Sequence, residues 1–228
     1  MSKIKTVGIV GTGVIGTGWI IRNLAHNKIV HAYDQNKNLK SYVLKEIKRT
    51  SKSIKKLFGK KILIKNLKFF NSLEKALVNV DFVQESVLEN YKVKTDLIHK
   101  ISKYVKSDII ISSSSSGLLP SKIFSKSKNP QRGIIGHPFN PAYLLPAVEI
   151  VPGKKTTKKF LLDANKYYKS ISMKPIMLKK ELPGYLSDRL QEALWREGLH
   201  IINENYATTQ ELDRAIEDGP GLRYSIMG

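Results

Sequence analysis

The chain has 228 residues, 41% of them hydrophobic, enough for one large domain or one and a half ordinary ones with a sizeable core. It contains no cysteine, which excludes a disulfide framework, a thiolate metal site and a cysteine nucleophile; no metal site of any kind is expected. The formal net charge is +20, from 39 Lys and Arg against 19 Asp and Glu; only seven of the basic residues are arginine, and the lysines are spread along the chain, densest over 45–68.

Such a balance suits a solvated lysine surface, or a site for an anionic ligand such as a phosphate-bearing substrate. No nucleic-acid motif accompanies it, so a nucleic-acid partner is not expected. The first residues, MSKIKTVGIV, run straight into a strand without a signal-peptide core, and no apolar stretch reaches membrane-spanning length. The expectation is a soluble, cytoplasmic protein with no membrane partner.

In chain order, residues 3–34 read as strand, helix and strand. KIKTVGIV alternates and then turns apolar, as a buried strand does. Gly11-x-Gly13-x-x-Gly16 follows with dinucleotide-fingerprint spacing, and WIIRNLAHN carries apolar residues at helical intervals. The next strand, IVHAYD, ends on Asp34, 18 residues past Gly16. Each part has a physical task. Gly11 permits the tight turn, Gly13 lets backbone approach a pyrophosphate, and Gly16 lets helix pack on strand. The helix N-terminus presents free N–H groups to phosphate. Asp34 can accept hydrogen bonds from an adenosine ribose and would repel a 2′-phosphate, which favours NAD over NADP.

Residues 36–59 form a long basic amphipathic helix, LKFF (67–70) a short strand and SLEKAL (72–77) a short helix. VDFVQES (80–86) is a buried strand ending in acids. Residues 91–105 carry a helical stripe at positions 93, 97, 98, 101 and 105. DIIIS (108–112) is another buried strand, and the five serines 112–116 leave its carboxyl end, where hydroxyls would face a bound dinucleotide. A short helix near 120–124, a turn at 128–130 and the strand GIIG ending in His137 follow. Then come AVEIV with Glu149, a helix over 156–171 and a strand over 174–179. This alternation implies a parallel, doubly wound sheet, with ligand beyond the carboxyl ends of its strands.

The composition then changes. A long helix starts after Pro183-Gly184, and a second has Thr208 or Thr209 as N-cap, Glu211 in its first turn and Gly219 as a stop. The fold class is therefore α/β: a doubly wound Rossmann-type sheet over 1–182, followed over 183–228 by an incomplete all-helical second domain broken off after two helices.

His137 lies at a strand end before Pro138. Ser116 lies at another strand end, and Glu149, on the next strand, can pair with the imidazole, holding one tautomer and stabilising the imidazolium.

With GxGxxG, ESVLENYKVK (85–94), the serine segment, GHPFNP, VEIV and PGYLSDR, the sequence resembles the 3-hydroxyacyl-CoA dehydrogenase family over essentially its whole length. HPFNPAYLLPAVEIV, SSSSSGLLPSKIF, DRLQEALWREGLHIINENYATT and GPGLRYSIMG are most similar to the L-carnitine dehydrogenase branch, and next to the lambda-crystallin (L-gulonate dehydrogenase) branch. The resemblance implies an NAD-dependent oxidation of a small 3-hydroxy acid. It implies that His137 is the general base, Glu149 its orienting acid and Ser116 the residue bonding the substrate oxygen. It implies Asn140 as a substrate-pocket residue, and Gly11, Gly13, Val14, Ile15, Gly16, Asp34, Glu89 and Lys94 as cofactor-binding positions. Asp188 stands where the 3-hydroxyacyl-CoA enzymes carry asparagine, which puts a CoA thioester substrate in doubt. An acid there can help hold a quaternary ammonium, with Phe139, Tyr143 or Trp195 as aromatic faces, or can pair with Arg189 or Lys180. The family continues past GPGLRYSIMG with further helices. The resemblance implies that those helices complete the second domain and a homodimer interface, so the chain reads as truncated relative to that pattern, and an inactive fragment is an alternative reading, as is a 3-hydroxyacyl-CoA or L-gulonate dehydrogenase.

Overall fold

A computed structural model describes residues 4–36 and 38–227. The chain divides into two compact units, Met1–Tyr185 and Leu186–Gly228.

The first unit is built on one eight-stranded sheet. Its strands are β1 (Thr6–Val10), β2 (Ile29–Tyr33), β3 (Leu67–Phe70), β4 (Phe82–Glu85), β5 (Ile110–Ser113), β6 (Gly133–Pro138), β7 (Ala147–Pro152) and β8 (Lys174–Met177), in the spatial order β3-β2-β1-β4-β5-β6-β7-β8. The central strands β4, β5 and β6 are buried at every position. Strands covered on both faces read as apolar or small-residue runs, as β5 does; β4 also buries Gln84 and Glu85, and β6 buries His137. One face carries α1 (Val14–Ala25), α2 (Leu39–Phe58) and α6 (Lys158–Ser170) over a core that includes Val7, Ile9, Trp19, Ile47 and Tyr168. The other carries α3 (Leu73–Leu77), α4 (Tyr91–Tyr104) and α5 (Pro120–Ile123) over Val10, Val83, Ile98, Ile111 and Ile123.

The sheet departs from the expected all-parallel arrangement at one place, where β7 runs antiparallel to β6. Residues 139–146 join them without a helix, and a parallel return needs a crossover of a dozen or more residues. The antiparallel register sets His137 directly opposite Glu149.

Helix boundaries also shift for local reasons. The expected helix over 36–59 begins at Leu39, because the side chain of Asp34 accepts from Asn36 N (2.9 Å) and that of Asn36 from Asn38 N (3.0 Å). These side chains hold the backbone in turns that compete with helix. The expected stripe on α4 holds at Ile98, Ile101 and Val105, which are buried, and at Leu97, which packs partly against the core; it fails at Val93, 42% exposed, beside which Lys94 is the buried residue.

The second unit contains α7 (Ser187–Asn203), α8 (Thr209–Glu217) and α9 (Pro220–Met227). Thr208 caps α8, with its hydroxyl accepting from Glu211 N and the Glu211 carboxylate accepting from Thr208 N, a reciprocal capping box. The expectation of two helices is corrected to three. Gly219-Pro220-Gly221 reads as a break, but Pro220 occupies the first position of α9, where its missing N–H is of no consequence. Among the described residues no helix is long and apolar enough to cross a membrane.

Candidate active site

The carboxyl ends of β1, β2, β4, β5 and β6 meet along one edge of the first unit. At the β1 end, Gly11 has φ +89° and donates its N–H to Tyr33 O (2.9 Å), tying the turn to β2. A Cβ on Gly11 would lie 2.6 Å from Ser86 O, and one on Gly16 would lie 1.8 Å from Gly11 O. Backbone on both sides admits no side chain at either position. Gly13 differs, since a Cβ there would meet no protein atom within 4 Å. Nothing in the protein itself requires glycine at Gly13, as expected where backbone must approach an outside group such as a pyrophosphate.

Helix α1 starts at Val14, 57% exposed, with no side-chain cap and no acid in its first turn, while Ile15 packs partly against the core. Asp34 accepts from Thr12 N (2.6 Å) and Thr12 Oγ1 (3.3 Å), so the acid at the β2 end also holds the glycine turn. Gly11, Gly13, Asp34, Ser86 and Val87 line one cleft of about 710 Å³. A dinucleotide fits these residues: a glycine turn shaped for close approach, an open helix N-terminus and a carboxylate at the β2 end of the same cleft.

Glu85, at the end of β4, is wholly buried and accepts from Val87 N (2.6 Å), Ser113 Oγ (2.5 Å) and Lys94 Nζ (2.8 Å). Lys94 is itself 1% exposed and also reaches Val87 O (3.1 Å) and Glu89 (3.5 Å). Glu89 in turn accepts from Ser115 Oγ (2.5 Å), Ser116 N (3.0 Å) and Gly117 N (3.2 Å). An ion-pair chain thus runs from β4 through α4 to the segment carrying Ser116, whose side chain is exposed.

The serine run does not present five hydroxyls to a ligand. Ser112 bonds Tyr168 OH (2.8 Å), Ser113 bonds Glu85, Ser114 accepts from Trp19 Nε1 (3.0 Å), and Ser115 bonds Glu89. Buried strand ends demand partners for polar atoms, and these four hydroxyls meet that demand within the fold.

On β6, His137 is 5% exposed, and its Nδ1 lies 2.8 Å from Oε2 of the fully buried Glu149. The rings of Phe139 and Tyr185 lie 5.3 and 5.6 Å from the imidazole. Tyr185 OH donates to Leu118 O (2.7 Å), so this ring spans from His137 to the segment of Ser116. Burial raises the Tyr185 phenol, which stays protonated as a donor. The loop after β6 holds the exposed Asn140, and the buried Arg22 anchors it through Ala142 O (3.1 Å) and Leu145 O (2.8 Å). Desolvation lowers the Arg22 guanidinium to about 10. Tyr143 turns away to meet Arg49 (3.2 Å). Asp188 lies in the first turn of α7, in the second unit, as does Trp195 farther along that helix. Among the described residues no group of His, Asp or Glu is placed to hold a metal ion.

Residues 6–182 match the NAD binding domain of 3-hydroxyacyl-CoA dehydrogenase, and residues 184–228 match its C-terminal domain. The chain belongs to the 3-hydroxyacyl-CoA dehydrogenase family. It is an NAD-dependent oxidoreductase. It is 44% identical to an L-carnitine dehydrogenase of Pseudomonas putida over 229 residues, covering 100% of this chain and 71% of the relative. It is also 44% identical to one of Oceanobacillus iheyensis over 226 residues, covering 99% and 74%. The fold is shared with an NAD-dependent 5-formyl-3-hydroxy-2-methylpyridine 4-carboxylic acid 5-dehydrogenase (TM-score 0.92, 24% identity, 99% of this chain and 74% of the other). It is shared also with 3-hydroxybutyryl-CoA dehydrogenase of Escherichia coli (TM-score 0.87, 24% identity, 95% and 47%).

Sequence reasoning named His137 and Glu149, which the fold brings together. It missed Glu85, Tyr185 and the internal role of the serines. One signal for Glu85 was present: Lys94 falls on the buried side of an amphipathic helix, and a buried lysine requires a carboxylate.

Proposed function

We propose that the chain oxidises the 3-hydroxyl of L-carnitine to 3-dehydrocarnitine, with His137 as general base. The observation carrying this reading is the buried His137–Glu149 pair at the sheet edge that also bears the glycine turn. The L-carnitine dehydrogenases matching along the whole chain support the choice of substrate.

With Nδ1–H donated to Glu149, the neutral imidazole has its basic nitrogen at Nε2, which takes the proton of the substrate hydroxyl. The Glu149 carboxylate then offsets the charge that develops on the ring. Ser116 bonds the substrate oxygen, and the Glu89 contacts fix the backbone from which it reaches. NAD, when bound, accepts the hydride. Gly11, Gly13, Val14, Ile15, Gly16 and Asp34 hold that cofactor; Glu89 acts beside them, and Lys94 acts through Glu89, since its ammonium is directed inward. Asn140 contacts the substrate, and Asp188 acts on the trimethylammonium end through space. Residues 1–182 serve as the NAD-binding domain, and 183–228 belong to a helical domain for substrate binding and homodimer formation, in a cytoplasmic enzyme.

The test is NADH formation with L-carnitine, L-gulonate, 3-hydroxybutyrate and 3-hydroxybutyryl-CoA, alongside Asp188→Asn. Carnitine should give the highest kcat/KM, and the variant should raise its KM roughly tenfold to a hundredfold, as expected for about 1–3 kcal/mol from a partly desolvated ion pair. The neutral-tailed acid should lose far less. Preference for the CoA thioester, or equal losses on charged and neutral substrates, would overturn the substrate assignment.

A further inference from the structure

We propose that the Ser86 hydroxyl is a cofactor-positioning donor, aimed by a buried hydrogen-bond chain at an acceptor oxygen on the nicotinamide-riboside half of the dinucleotide.

The direction of the chain follows from which atoms can donate. Gln84 is 1% exposed. Its Nε2 lies 2.8 Å from Ser114 Oγ and 3.4 Å from Gly136 O, and its Oε1 accepts from Tyr168 OH (2.7 Å). The Gly136 carbonyl can only accept, which fixes the amide with nitrogen on that side. Trp19 Nε1 can only donate, and it also ends on Ser114 Oγ (3.0 Å). A serine oxygen has two acceptor positions and one hydrogen. With Trp19 and Gln84 filling both acceptor positions, the Ser114 hydrogen goes to Ser86 Oγ, 2.8 Å away. Ser86 receives that bond, so its own hydrogen points onward. At the far end Tyr168, wholly buried and held protonated by desolvation, receives from Ser112 and donates to Gln84. Every donor from Ser112 to Ser86 faces the same way.

Ser86 is half-buried and lines the cleft with Gly11 and Gly13, and among the described residues no acceptor takes its hydrogen. Sheet order says which part of the ligand it meets. Asp34 at the β2 end marks the adenosine ribose, and α1 after β1 marks the pyrophosphate. Strand β4 lies on the other side of β1, towards His137 on β6. Ser86, just past β4, therefore faces the nicotinamide-riboside half.

This rests on the placement of NAD in that cleft, and the test separates the two. Calorimetry of the full chain with NAD and with ADP is compared for wild type and Ser86→Ala. Loss of one donor should weaken NAD roughly three- to tenfold and leave ADP within about twofold. An unchanged NAD affinity, or equal losses for NAD and ADP, overturns the role of Ser86. If the wild-type chain binds neither ligand, the cleft reading falls and the proposal falls with it.

Discussion

Replacing Lys94 by methionine should unfold more than a surface lysine ever would. The Lys94 ammonium is 1% exposed and lies 2.8 Å from Glu85, which is fully buried. In Lys94→Met the Glu85 carboxylate keeps only Val87 N and Ser113 Oγ as donors, and its charge stays in the interior uncompensated. Removing one partner of such a pair costs about 3–5 kcal/mol. For a chain of this size that corresponds to a fall in Tm of roughly 6–20 °C. The double variant Glu85→Gln, Lys94→Met removes both charges and should lose less than the sum of the two single losses, with a coupling of about 1–3 kcal/mol. Urea unfolding followed by circular dichroism measures all four proteins. A loss below about 1 kcal/mol for Lys94→Met, or strict additivity in the double variant, would refute the reasoning that this pair is buried and mutually dependent.

Asp34→Ala should narrow the preference for NAD over NADP, measured as the ratio of their dissociation constants; an unchanged ratio would remove Asp34 from the ribose site. Stability should fall in mild acid. Desolvation lowers the pKa of both His26 and His31 from 6.5, so the fold favours their neutral forms. Their contribution is complete above the unfolded value and is lost as pH falls below it, so the urea midpoint should drop between about pH 8 and pH 5. His31→Asn should flatten that drop.

The order of strands and helices was legible because the strands carry apolar stretches such as VGIV, DFV and III, and the longer covering helices carry an apolar stripe. The glycine turn was legible because its three glycines answer three different steric demands, at Gly11, Gly13 and Gly16. His137 and Glu149 could be paired from their positions on successive strands, although the antiparallel turn that sets them face to face is a matter of loop length. The polar interior was less legible. Ser112–Ser115 carry no sign of which partners they reach, since Glu85, Glu89, Trp19 and Tyr168 come from distant parts of the chain. Tyr185 was hidden by lying next to Pro183-Gly184, in a segment that reads as a break. Helix α9 was hidden for the same kind of reason, by Gly219-Pro220-Gly221.

The role of His137 admits one direct measurement. His137→Gln keeps a polar side chain of similar reach but has no basic nitrogen to receive a proton. Turnover with L-carnitine and NAD should fall on the order of 100-fold to 10,000-fold, as loss of a general base does, while the NAD dissociation constant measured by calorimetry stays within about twofold of wild type. A variant that retains more than about a tenth of wild-type turnover, or that loses NAD affinity in step with turnover, would contradict the assignment of His137 as the base.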